Sequence, residues 1–212
     1  MGKLRDILRW PRRYRTSRGF GVHSPFAYDF ITKVLRERDA SYYSYAEIDS
    51  LCARAHRGMT LPNMNFTATS FDRQEARMLF RVLCRFNPKE VIEIGGSNEV
   101  TRTIIERAVP HTKISRWSRD SHPKLDNENT YFILVNYAID INSSIMRKYL
   151  LEAVNNPNGV VIFFRNLQLP VLKRIWSEIA AVASFGMTFH DDLTAIYCAF
   201  PNLPRQDYEL LL

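Results

Sequence analysis

A chain of 212 residues with 46% hydrophobic and 24% charged residues has the makeup of a water-soluble globular protein with room for a substantial core. No apolar run reaches ~18 residues, so a membrane-spanning helix is not expected, nor is a secretory signal, since no apolar stretch stands near the start. The net charge of +7 is uneven: seven basic residues and one acid in the first 18 positions hold six of those charges, and the body is nearly neutral.

That basic tail, residues 1–18, carries Lys3, Arg5, Arg9, Arg12, Arg13, Arg15 and Arg18 against Asp6. Trp10 and Tyr14 interleave with the arginines, and Leu4, Ile7 and Leu8 share one helical face. Such a segment suits the phosphates of an RNA, with the aromatics stacking on bases. It equally suits a protein partner, or an anionic membrane surface in second place. The plain alternative is a terminus that docks its few apolar residues on the body. A mitochondrial transit peptide is opposed by Asp6 and the early Pro11.

Residues 19–88 read as helices only. Ser24 is a helix N-cap with Pro25 at the first helical position, followed by a stripe of Phe26, Phe30, Ile31, Val34 and Leu35. Ser44 and Glu47 have capping-box spacing and lead into Ile48, Leu51, Cys52 and Ala55. A third helix starts near Asp72, carries Ala76, Leu79, Phe80, Leu83 and Cys84, and stops at Asn87-Pro88. The three cysteines, Cys52, Cys84 and Cys198, have no paired spacing and are expected as buried free thiols, which suits a reducing cytoplasm.

From residue 89 to the end, strands and helices alternate, the pattern of a mostly parallel sheet. Strands are predicted at 90–94, 112–117, 131–136, 159–164, 186–190 and 194–199, with helices at about 98–109, 142–155 and 169–182. Only Asp191-Asp192-Leu193 separates the last two strands, so they form an antiparallel hairpin. The segment Val91-Ile92-Glu93-Ile94-Gly95-Gly96-Ser97-Asn98-Glu99 places a strand, two glycines and a helix start in succession. Glycines there let backbone approach a ligand that any Cβ would displace.

On His23-Ser24-Pro25-Phe26, Leu79-Phe80-Arg81-Val82-Leu83, Pro88 and Glu93-Ile94-Gly95, the chain resembles small bacterial class I S-adenosylmethionine-dependent methyltransferases, mostly met in Bacteroidetes. The resemblance spans roughly residues 19–200. It implies an α/β, Rossmann-like sheet behind a helical preface, with S-adenosylmethionine held by Glu93, Gly95, Gly96 and Ser97. The departures point to a degenerate member. In the family the first loop reads Glu-Leu-Gly-Thr-Ser-Leu-Gly-Ile-Ser-Thr, whereas here the second glycine is Glu99 and the last threonine is Arg102. A carboxylate at Glu99 would compete with that of the cofactor for the loop's amides.

Other tips differ as well. Family strands ending in Asp-Gly-Asn-His and Asp-Asp-Ile-His-Trp are replaced by Tyr137-Ala138-Ile139-Asp140 and Arg165-Asn166-Leu167-Gln168-Leu169. An earlier Asp-Phe-Gly-Ala-Gly loop appears as Leu61-Pro62-Asn63-Met64-Asn65, and Asp120 is displaced from the place of a ribose-gripping acid. Each polar tip is read as lost. Only the twelve residues 118–129 separate two strands where a complete methyltransferase has a helix and a strand. Extended, they reach about 40 Å at ~3.3 Å each, enough to return but not to hold both elements. The third strand, with a wall of the adenine pocket, is therefore expected to be missing.

Remaining candidates are plain. His23 serves as a general base or simply precedes a helix cap, and His190-Asp191-Asp192 suits a metal or an ordinary turn. His56, His111 and His122 are isolated, and no metal site is expected. Glu93 either contacts cofactor or, as a strand-end residue, caps the nearby helix. Three functions follow: a non-catalytic binding or scaffold module with a degraded cofactor site, an active methyltransferase of unknown substrate, or a membrane-peripheral protein anchored by its basic helix. The first is the preferred reading.

Overall fold

A computed structural model describes residues 2–58, 71–96, 98–117, 122–136 and 143–212. Helix α1 (Gly2–Thr16) comes first, then α2 (Pro25–Asp29), which continues as a π-helical stretch over Phe30–Leu35, then α3 (Tyr43–Gly58) and α4 (Arg73–Phe86). The α/β part follows as β1 (Glu90–Ile94), α5 (Glu99–Ala108), β2 (Lys113–Arg116), β3 (Tyr131–Val135) and α6 (Ser143–Ala153). It ends with β4 (Val160–Phe164), α7 (Pro170–Val182), β5 (Met187–His190), β6 (Ala195–Ala199) and β7 (Gln206–Glu209).

One seven-stranded sheet runs in the order β2-β1-β3-β4-β6-β5-β7. Strands β1 to β4 are parallel, β6 lies antiparallel between β4 and β5, and β7 is parallel to β5. Strands β1, β3, β4 and β6 are buried along their whole length because helices cover both faces. Alternation assigns their side chains to two cores. Val91, Phe132, Leu134, Val161 and Phe163 face the preface helices and α5, while Ile92, Ile133, Ile162 and Phe164 face α6 and α7.

The α/β architecture, the helices ahead of the strands and the antiparallel hairpin of β5 and β6 match the sequence. Among the described residues no strand lies between β2 and β3. Ser24 caps α2, its Oγ accepting from the N–H of Ala27 at 3.2 Å, and Asn87 ends α4 in the left-handed region at φ 43°.

Three local expectations need correcting. The capping box does not form: α3 starts one residue ahead of Ser44, and the Glu47 carboxylate instead accepts from Arg107 at 2.7 and 3.1 Å. Cys84 is exposed, although Cys52 and Cys198 are buried. A seventh strand, Gln206–Glu209, pairs with β5 in register Met187 to Gln206 and His190 to Glu209. The tail is α-helical through Pro11 and is fastened to the body by polar groups. Arg13 is buried; its Nε donates to the carbonyl of Leu210 at 2.8 Å and its Nη1 to Asp192 at 2.9 Å. Ser17 adds a second clasp, accepting from the N–H of Leu211 at 2.8 Å.

Candidate functional site

In an open parallel sheet a ligand crevice lies outside the carboxyl ends of the strands, where the strand order reverses. Here that point is between β1 and β3, since the chain proceeds from β1 to β2 on one side and returns to β3 on the other. The β1 end supplies Gly95 and Gly96, with φ of 85° and 95°, conformations that an L side chain rarely adopts. A Cβ on Gly96 would meet nothing within 4 Å, so the glycine answers a backbone need and the space above it is open. Asn98 then caps α5, its Oδ1 accepting from the Thr101 N–H at 2.8 Å and from the Thr101 hydroxyl at 3.0 Å.

The crevice is bridged from the other side. Asn136, directly after β3 and buried, donates from Nδ2 to the carbonyl of Gly96 at 2.9 Å. Its own carbonyl accepts from Asn166 Nδ2 at 2.8 Å, and its Oδ1 accepts from Arg165 Nη1 at 3.2 Å. Arg165, the first residue after β4, is buried and donates to both carboxylate oxygens of Glu75 at 2.7 Å. The Phe71 ring covers that guanidinium, its centroid 3.3 Å from the guanidinium carbon. Asn166 takes the left-handed region at φ 58°, which turns the chain away from the sheet.

The residues read as the β3 tip, 137–140, lie outside the described residues, while the β4 tip is polar in a different way from the family's acids. At β3 and β4 the tip is refitted, with an internal ion pair and an amide relay joining β1, β3, β4 and α4. Sequence inspection saw Arg165 as a missing acid; Glu75, 90 positions away, gave no signal because only the folded α4 brings it over β4. Asn136 is a strand-end amide of an ordinary kind and was missed altogether.

The remaining candidates are distributed as follows. Glu93 is buried at the β1 end, with Arg116 Nε 3.3 Å from its Oε2. Glu99 turns outward, exposed, with Arg54 at 3.9 Å, and accepts no hydrogen bond from the loop's amides among the described residues. Ser97, Asp120, residues 61–65 and Tyr137, Ala138, Ile139 and Asp140 lie outside the described residues, as does the side chain of Arg5.

His190, Asp191 and Asp192 diverge. Asp191 accepts from the N–H groups of Leu193 and Thr194 at 2.8 and 2.7 Å, and Asp192 is held by Arg13. His190 Nε2 lies 3.2 Å from Asp207. Burial lowers the His190 pKa, but the hydrogen bond and charge of Asp207, with Glu209 behind, outweigh it and leave the pKa raised. Among the described residues no three His, Cys, Asp or Glu groups stand together to hold a metal ion.

On the tail, Arg9, Trp10, Arg12, Arg15 and Arg18 are exposed, Tyr14 is half-buried, and Arg13 belongs to the body's own network. Trp10 stacks on Tyr14 at 5.0 Å, and the Arg18 guanidinium sits 4.4 Å over the Tyr14 ring. These three residues at four-residue spacing form one outward ladder. No helix among the described residues is long and apolar enough to cross a membrane.

No family model matches the chain, and no curated protein matches it. Among solved structures it is similar to SAH-bound methyltransferase PaMTH1 of Podospora anserina, at 9% identity and TM-score 0.48, over 84% of this chain and 97% of that one. It is also similar to an O-methyltransferase of Bacillus cereus in complex with SAH, at 14% identity and TM-score 0.41, over 78% and 94%. A third is the O-methyltransferase TomG of Streptomyces achromogenes, involved in tomaymycin synthesis and in complex with SAM, at 13% identity and TM-score 0.44, over 75% and 91%. Overlaps this loose carry no argument of their own; the fold description rests on the strand order.

Proposed function

We propose that the chain is a non-catalytic binding or scaffold module built on a methyltransferase-type sheet, with its cofactor crevice degraded and bridged at the switch point by protein groups. One observation carries this: the amide of Asn136 spans the switch point to the Gly96 carbonyl, backed by the buried Arg165–Glu75 pair. A polar ligand placed there would have to replace hydrogen bonds that the protein already makes to itself, and each one displaced without replacement is costly. The outward ladder of Trp10, Tyr14 and Arg18, with Arg9, Arg12 and Arg15 beside it, is the contact face, and its charge and stacking surfaces suit RNA.

The deciding experiment is calorimetric titration with S-adenosylmethionine and S-adenosylhomocysteine. The module reading expects no heat of binding; micromolar binding would overturn it in favour of an active or cofactor-regulated methyltransferase, the reading favoured by the open space above Gly96. Glu99→Gly alone is expected to restore nothing, since the Glu99 side chain is exposed beside Arg54. RNA binding by the full chain, compared with a form lacking residues 1–18, tests the contact face. Vesicle binding in place of RNA binding would move the assignment to a membrane surface.

A further inference from the structure

A cavity of 330 Å³ opens between the end of the π-helical stretch, the first turns of α4 and the turn joining β5 to β6. Its size suits a small molecule. The acidic groups around it are mostly committed. Glu75 holds Arg165, Asp191 caps its own turn, and Glu37 accepts from the N–H groups of Asp39 and Ala40 at 2.7 and 3.0 Å. Asp49 is engaged by Arg77, and Asp72 stands at the exposed rim.

The basic groups are not so balanced. Arg81 is buried, and its guanidinium donates to the carbonyls of Val34 at 2.6 Å and Leu35 at 3.1 Å and to the Tyr45 hydroxyl at 3.1 Å. Among the described residues it has no carboxylate partner. A guanidinium carries five N–H groups, so three bonds leave two unspent, and the nearby Glu37 charge reaches it without a hydrogen bond or ion pair among the described residues. Arg36 also lines the cavity and donates to the Leu211 carbonyl at 2.5 Å. Burial, then the charges of Arg38 and Arg18, hold its pKa below the usual arginine value, a sign of crowded positive charge. Met78 and Leu193 add apolar wall.

We propose that this cavity binds a small organic anion, a carboxylate or a phosphate ester, with Arg36 and Arg81 meeting the anionic group and Met78 and Leu193 its apolar part. Planar guanidinium groups match either anion in a forked geometry. The lining shares Glu75 and Asn166 with the network at the β3 and β4 ends but includes neither Gly96 nor Asn136, so the cavity adjoins the crevice without containing its glycine loop: cofactor binding at that loop would overturn the module reading without removing the arginines of this cavity.

The test uses the full chain at constant ionic strength, with thermal shift and calorimetry against phenyl phosphate, benzoate and neutral benzamide. One or both anions should bind while benzamide does not; which anion binds separates the phosphate from the carboxylate source. Arg36→Gln should weaken binding by about tenfold, the loss of one charge-assisted contact. Lys173→Gln, exposed on α7 and outside the cavity, should leave it unchanged. If Arg36→Gln misfolds, Arg81→Lys, which keeps charge but not the fork, carries the same expectation. No binding of either anion at millimolar concentration, equal binding of benzamide, or an equal loss in Lys173→Gln would each overturn the proposal.

Discussion

Arg165 grips Glu75 with two hydrogen bonds of 2.7 Å, and so fixes the end of β4 to the first turn of α4 across 90 residues of sequence. Buried pairs of this kind are costly to break and cheap to replace whole. Arg165→Met or Glu75→Leu alone should destabilise the chain by about 3–5 kcal/mol, because each leaves an uncompensated charge. The double variant should recover most of that loss. Urea unfolding of the four proteins checks it; additive single effects would show that the two groups do not act as a pair.

Arg13 is the clasp of the first helix. Truncating it strands the Leu210 carbonyl and Asp192, so Arg13→Ala should cost about 2–3 kcal/mol, whereas Arg12→Ala and Arg15→Ala on the exposed face should change little. Thermal unfolding of the three variants separates them. Equal, small effects would mean that the tail is not held.

The His190–Asp207 pair sets a pH window. His190 has a raised pKa, so its contribution is complete below the unfolded histidine value of ~6.5 and fades as pH rises through the folded value. The Asp207 pKa is pulled upward by burial but ends lowered through His190 and Thr188, so its contribution is present above ~4 and is lost as pH falls through the folded value. Asp207→Asn should therefore reduce stability more at pH ~6 than at pH ~9, and NMR titration should find His190 with a lowered pKa. An unshifted His190 in that variant would remove the pair as the cause.

Thiol chemistry should divide the cysteines. Cys52 and Cys198 are buried; burial pushes the Cys52 pKa up to about 11 and that of Cys198 well above the usual thiol value. Cys84 is exposed, and although partial burial also raises its pKa, it should be the first to react. A thiol reagent should modify Cys84 alone in the native protein, faster as pH rises, and all three after unfolding. Native modification of Cys198 would contradict the packing of β6 between β4 and β5.

The strands were legible where hydrophobic runs left no alternative: 90–94 is read identically in sequence and structure, and 131–135 and 160–164 differ by one residue. β7 was not legible, because Gln206-Asp207-Tyr208-Glu209 carries no apolar alternation; it becomes a strand only through its ladder with β5. Ser44 and Glu47 had the letters of a cap, but Tyr43 was already helical and Arg107 offered Glu47 a charged partner from another element. The crevice was half legible. Gly95 and Gly96 announce their backbone conformations, whereas the meeting of Asn136, Arg165 and Glu75 is a property of three dimensions.

The joining of α1 to β7 also has an order in time. Arg13 leaves the ribosome 197 residues before its acceptor Leu210, a delay on the order of 10–40 s at ordinary synthesis rates of about 5–20 residues per second. Throughout that interval the most cationic segment of the chain has no native partner and is free for ribosomal RNA or a chaperone to hold. Nascent chains stalled before Asp192 should leave α1 open to protease, and release past Leu210 should close it.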